Sequence, residues 1–447
     1  MKMLANCGKS QNFARSRPLW PLVAGPAAPS IADMSTAVFS PAPSDTELSA
    51  RFRPVFEEIA KGATERERER RLPFAEVELL LEAGYTRLRV PQEFGGLGAS
   101  LPQLFRLNIE LAEAESNLPQ ALRVHTGFVE DLRLDTDPQR REHWLRKAGE
   151  GAIFGNGITE PGAGFHDRYQ TTLSQDGAHW RLDGEKFYST GSLFADHILV
   201  AAQRGDERVG VLVDADQPGV SQQDDWDGFG QRLTASGTSR YAGVQVAADR
   251  VFEGGYGTPG KGHQAALLQL VQLSVLAGIA KRAVADIVAV TQQRTRTYNH
   301  ALADLPKDDP LVQQVIGRGE GAAFAARATV LAVAELLGEI LDRLNAGEDV
   351  PPQAYDEAEL AAAKAQSSVI PLVLRSVTDL FEVGGASLTR SGAALDRHWR
   401  NARTISLHNP VIYKEQRVGA NLLVGEAPPY AWTVGERNLP ADKGALQ

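Results

Sequence analysis

A single cysteine, Cys7, stands among the 447 residues of this chain. An internal disulfide is therefore excluded, and so is a metal centre built on several thiolates. One cysteine fits a reducing cytoplasm. No run of about twenty apolar residues occurs, so the sequence offers no membrane-spanning helix. Basic charge is also short: 47 Lys and Arg face 56 Asp and Glu, a net charge of -9. That balance speaks against broad binding to nucleic acid or to anionic membranes. What remains is a globular composition, 43% hydrophobic and 23% charged, long enough for two or three cores.

Two stretches lack acidic residues altogether. The first precedes Asp33: Lys2, Lys9, Arg15 and Arg17 lead into an apolar segment broken by Pro21, Pro26 and Pro29. A basic start and an apolar middle suggest an export signal. Prolines interrupt the helical core that a signal needs, so residues 1–33 read as a disordered extension ahead of Met34. The second acid-free stretch, 254–285, bears on the chemistry below.

The texture of the chain changes twice. Residues 34–150 carry apolar residues three and four apart, with Ser44 or Asp45 as an N-cap. Within them "ERERERR" (65–71) reads as a solvated helix face. The loop "VPQEFGGLGAS" (90–100) lacks the strand and helix that would make it a phosphate loop. Residues 151–255 turn to short β-rich runs, "HWRLDGEKFYST", "HILVAAQ", "RVGVLVDAD" and "SRYAGVQVAADRVF", separated by Gly, Asp and Pro. Helical periodicity returns over 256–427, in segments 264–299, 310–346 and 356–384, and a Pro-rich tail or subunit strap follows at 428–447. The expected fold is α+β: an N-terminal helical domain, a small middle β-barrel or sandwich, and a C-terminal four-helix bundle.

That order, with four motifs, resembles the acyl-CoA dehydrogenase superfamily. "ITEPGAG" (158–164) is similar to the family's "LTEPGAGSD", and "GEKFYSTG" (184–191) to its "G-K-x-W-I-T-N". "GFGQRLTASGTSRYAGVQVAADRVF" (228–252) and "FEVGGASLTR" followed by "LDRHWRNAR" (381–403) resemble two further motifs, in the same order. The resemblance implies a flavin slot with Thr159 at its edge, Tyr188 flanking the ring and Thr190 bonding near N5. It also implies flavin-phosphate contacts from Arg294 and Arg296 in "QRTRTY", often across a subunit interface.

A dehydrogenase of this family needs a glutamate base. Alignment of "RNARTISLHNPVIY" (400–413) on its arginines puts His408 and Asn409 where most members carry Tyr and Glu. Asn409 cannot take a proton at neutral pH. The alternative seat, early in the C-terminal bundle, falls in the acid-free stretch 254–285. This pattern resembles the flavin monooxygenase branch, which includes dibenzothiophene monooxygenase and sulfur-acquisition oxidoreductases. The branch implies reduced FMN delivered by a separate NAD(P)H-dependent reductase, oxygen, a flavin 4a-hydroperoxide, a small organosulfur substrate and a homotetramer. His408 is then the expected proton donor, Ser189 a donor to the peroxide, and His125, in "LPQALRVHTGFVEDL", the opposite wall. Phe165 and His166, replacing the serine and aspartate of "EPGAGSD", favour FMN over FAD. The alternatives are an FAD-dependent acyl-CoA dehydrogenase with an unrecognised base, and a catalytically silent flavin-fold subunit.

Overall fold

A computed structural model describes residues 42–161, 168–254 and 262–430. The expected 1–33 extension, Phe165 and His166, and nearly all of the 428–447 tail lie outside the described residues.

Seven helices come first: α1 (Asp45–Lys61), α2 (Ala63–Glu69), α3 (Phe74–Ala83), α4 (Leu101–Ala114), α5 (Asn117–Ala121), α6 (Arg123–Arg133) and α7 (Pro138–Gly149). Ser44, not Asp45, caps α1, in a reciprocal box with Glu47, and Ser100 does the same for α4 with Gln103. Each such cap is worth about 1 kcal/mol. The charged run is a solvated face only in part: Glu65, Arg68, Glu69 and Arg71 are exposed. Arg66 and Glu67 are both only 2% exposed. Arg66 binds Glu76 at 2.8 Å and Glu115 at 3.2 Å, while Glu67 accepts from Arg400 at 2.7 Å. Alternating charge placed one pair of α2 residues inward, where each found an opposite charge from a distant segment.

Eight strands follow: β1 (Phe154–Gly157), β2 (Thr172–Asp176), β3 (His179–Lys186), β4 (His197–Arg204), β5 (Glu207–Asp214), β6 (Val220–Gln222), β7 (Ser239–Val246) and β8 (Val251–Glu253). They form one sheet in two halves. β6, β7, β3 and β2 pair antiparallel, and β1, β4, β5 and β8 make the other half. Among the described residues the halves pair where Thr172 meets Gln203. Leu182 and Val244 from one half share a core with Val200 and Val211 from the other, so the halves fold onto each other as a sandwich.

The C-terminal bundle is α8 (His263–Gln293), α9 (Pro310–Asn345), α10 (Pro352–Asp379), α11 (Asp396–Ser406) and α12 (Val411–Val424). α8, α9 and α10 pack on one another, and α4 packs against α8 and α9. One continuous core therefore runs through the N-terminal helices and the bundle. α8 stops at Gln293, six residues before the periodicity suggests. Thr291 turns its hydroxyl back to the Ile287 carbonyl at 2.7 Å, and Arg294 leaves in an extended conformation. Among the described residues no helix is long and apolar enough to cross a membrane.

Candidate functional site

The end of β3 runs into a strained turn. Tyr188 has φ +57°, in the left-handed region that bulky side chains avoid, and 48% of it is exposed. An aromatic ring held open at the cost of backbone strain is a flat apolar face without a protein partner on one side. Trp226 meets its edge at 5.7 Å. The Tyr188 carbonyl accepts from Asn156 Nδ2 at 3.0 Å, while Asn156 Oδ1 is buried with no partner. Thr159 lies beside this turn: its carbonyl accepts from the Phe187 amide at 2.8 Å and its side chain is exposed.

Thr190 is brought to the same place. Its hydroxyl contacts the Tyr188 carbonyl at 3.3 Å and the Ser236 hydroxyl at 2.8 Å, and Ser236 reaches Thr234 at 2.7 Å. Gly191 then has φ +77°, and a Cβ there would stand 2.0 Å from the Ala121 carbonyl. Only glycine lets this turn press against the junction of α5 and α6.

That junction delivers Arg123, which the sequence reading missed. Its guanidinium donates to His408 Nε2 at 3.1 Å. A guanidinium cannot accept, so Nε2 carries the lone pair and the imidazole proton sits on Nδ1. Asn409 lies 3.2 Å from Nδ1 and must then present its amide oxygen. His408 keeps solvent-exposed surface, yet surrounding protein, with Arg123 and Lys414, pushes its pKa down to about 3. Burial is the larger cause and the two cations add to it, so the ring is neutral at pH 7. The proton it can offer is the Nδ1 proton of a neutral ring, not that of an imidazolium.

The other expected residues lie elsewhere. His125 is buried with both nitrogens in use: Nε2 donates to the Thr86 carbonyl at 2.7 Å and Nδ1 accepts from the Phe154 amide at 3.4 Å. Burial lowers its pKa, so it is a neutral strut between α6 and β1. Ser189 is fully buried, and its hydroxyl meets Ser239 at 2.6 Å, which in turn meets Tyr241 at 3.0 Å. Ser189 faces the sandwich core, towards Ser239, while Tyr188 stands out of it; the left-handed backbone at Tyr188 sets the two apart. Arg294 bonds the Gly384 carbonyl at 3.0 Å and Ser387 at 2.8 Å, and Arg296 is exposed nearby. Both stand at the far end of α8, a helix of 31 residues and so about 46 Å long.

The "ITEPGAG" acid is a fastener. Glu160 accepts from the Gln170 and Thr171 amides at 2.7 Å each and from the buried Lys186 at 2.8 Å. Burial brings Lys186 down to about 8 against the pull of Glu160. This pair ties the segment after β1, which carries Thr159, to the end of β3, just before Tyr188.

No carboxylate stands in for the missing base where the family places one. Asn409 is confirmed beside His408. The first acid on α8, Asp286, is held by Arg397 at 2.5 Å, Arg282 at 2.6 Å and His398 at 2.9 Å. Burial alone would raise its pKa, but these partners hold it well below the usual carboxylate range.

The residues around Tyr188 fit a flavin. They offer a half-open aromatic face, a buried unpartnered acceptor on Asn156, and hydroxyls on Thr159 and Thr190.

Comparison with known proteins agrees. Three sequence models of one family match in order: acyl-CoA dehydrogenase N-terminal domain over 46–152, middle domain over 155–244 and C-terminal domain over 270–412. The chain is 28% identical over 380 residues to the probable FMNH2-dependent monooxygenase SfnC of Pseudomonas putida, covering 83% of this chain and 93% of that one. It is 28% identical over 403 residues to a dibenzothiophene monooxygenase of Rhodococcus erythropolis, covering 86% and 95%. The crystal structure of FMN-bound TdsC from Paenibacillus sp. A11-2 superposes with a TM-score of 0.79 at 26% identity, covering 86% of this chain and 99% of that one.

Proposed function

The chain belongs to the acyl-CoA dehydrogenase family, and on that footing we propose that it is a two-component flavin-dependent monooxygenase of organosulfur compounds. The observation that carries this reading is the pair His408 and Asn409, with Arg123 on the ring nitrogen. A proton-abstracting base is replaced by a neutral imidazole that accepts from a cation on one side and can donate on the other. Transfer of oxygen to a soft sulfur needs no strong base. The reaction balances as sulfide, oxygen and reduced FMN giving sulfoxide, oxidised FMN and water.

Reduced FMN, when bound, supplies the two electrons that activate oxygen. Tyr188 would cover the ring and Asn156, Thr159 and Thr190 would meet its polar edge, with a separate NAD(P)H-dependent reductase delivering it. Arg294 and Arg296, remote from Tyr188 in this chain, would serve the phosphate of a flavin held by a neighbouring copy in a homotetramer. His408 is the proton donor through the Nδ1 proton it otherwise shares with Asn409, and Arg123 fixes its tautomer. His125 and Ser189 act as positioning residues: the first docks α6 on β1, the second anchors the turn that holds Tyr188 open.

Anaerobic titration with acyl-CoA esters separates this reading from a dehydrogenase. Protein loaded with oxidised flavin should stay oxidised with every chain length. Bleaching of the flavin by any acyl-CoA would overturn the proposal.

A further inference from the structure

A cleft of about 380 Å³ adjoins the flavin-facing site. It opens between α6, the β4–β5–β8 half of the sheet and the first turns of α8. Val124, next to Arg123, and Ile158, next to Thr159, connect it to the residues already described. Its walls are largely apolar, with Phe128, Leu199, Phe252 and Leu267 among them. A volume of this size holds a small aromatic or alkyl compound.

Three side chains in this cleft carry buried polar atoms without partners: His263, Asp131 and Gln264. His263 is 2% exposed, and neither ring nitrogen has a hydrogen-bond partner. Asp131 faces it, with Oδ1 3.7 Å from His263 Nε2, too long for a hydrogen bond. That Oδ1 is itself buried without a partner, while Oδ2 accepts from Gln264. Leaving such atoms stranded is costly in a folded protein, and a ligand that bonds to them recovers the loss.

The charge around them selects the ligand. Arg140 is consumed by Asp135, with two contacts of 2.7 Å, and Glu253 by Arg204 at 2.7 and 2.9 Å. Among the described residues, the only ion-pair neighbour of Asp131 is His263. The cleft thus keeps one carboxylate without a compensating guanidinium or ammonium. A bound anion about 4 Å from it loses affinity roughly tenfold or more.

We propose that this cleft is the substrate pocket, that His263 and Asp131 hold the polar group of the substrate, and that it takes neutral organosulfur compounds and rejects sulfinate and sulfonate anions. This rests on the monooxygenase reading for the word substrate, but not for the binding contrast. His263 donates to an acceptor such as a sulfoxide oxygen, and the apolar walls take the carbon body.

Isothermal titration of the full chain with two size-matched probes tests it. Phenyl methyl sulfoxide is neutral, and benzenesulfinate carries the same ring with a negative charge. The sulfoxide should bind at least tenfold more tightly. His263→Leu should weaken it about tenfold, His263→Gln should restore much of that, and Asp131→Asn should narrow the gap between the probes. Equal or tighter binding of benzenesulfinate, no binding of either probe, or an unchanged sulfoxide affinity in His263→Leu would overturn the proposal. If Leu at 263 prevents folding, Asp131→Asn alone decides, because an unchanged ratio contradicts the charge argument. Failure of the monooxygenase reading shows separately, as absence of oxygenation with reduced FMN while the binding contrast persists.

Discussion

The Arg123 guanidinium donates to Nε2 of His408 at 3.1 Å, joining the start of α6 to the turn after α11 across 285 positions of sequence. This bond fixes the imidazole tautomer, and the arginine charge helps keep the ring neutral. Arg123→Met should therefore raise the His408 pKa towards the ordinary value of 6.5. Imidazole proton resonances followed against pH would read this directly. A His408 titration that does not move would remove Arg123 from the account.

His408→Ala should leave FMN affinity within a few fold and lower oxygenation by roughly a hundredfold or more, the usual contribution of a positioned proton donor. Asn409→Glu should not create acyl-CoA dehydrogenation, since the family's base also needs a substrate placed beside it. Turnover of the alanine variant at the parental rate would be inconsistent with a chemical role for His408.

Ser189→Ala tests whether that hydroxyl is structural. The change removes one of the two hydroxyl partners of Ser239, leaving Tyr241, and should cost about 1 kcal/mol in urea unfolding. Turnover at saturating flavin should stay within a few fold. A collapse of turnover at unchanged stability would return Ser189 to the chemistry.

The buried His398 sets a pH dependence. Burial first, with Arg397 adding to it, lowers its pKa from 6.5 to about 4 despite Asp286. Between these values the unfolded chain binds more protons than the folded one, so stability falls as pH falls. The loss attributable to this group reaches about 3 kcal/mol near pH 4. His398→Gln, which keeps a donor towards Asp286 and does not titrate, should flatten that stretch of a stability–pH curve. An unchanged slope would place the acid lability elsewhere.

The architecture was legible because each segment carries its own period and its own motifs. "ITEPGAG", "GEKFYSTG" and the arginine helix mark positions that the fold must place together, and Tyr188, Thr190 and Thr159 do meet. Their partners were not legible. Arg123 looks like any helix-start arginine, and only the close approach of Gly191 to Ala121 carries it towards the site. Arg66 and Glu67 looked solvated because a charge run does not announce which residue will meet Glu115 or Arg400. Ser189 read as a site hydroxyl because sequence places it between Tyr188 and Thr190, whereas the left-handed turn at Tyr188 leaves it buried against Ser239. His263 gave no signal at all: its distinction is the absence of a partner, a property of three-dimensional packing.

The most direct test follows the oxygen atom. The full chain, reduced FMN and an aryl sulfide are mixed under isotopically labelled oxygen, and the product is weighed by mass spectrometry. The account requires sulfoxide carrying one labelled atom from oxygen gas, formed only with reduced FMN and lost in His408→Ala. Sulfide recovered unchanged while all the reduced flavin is consumed to hydrogen peroxide, or label arriving from water, would contradict it.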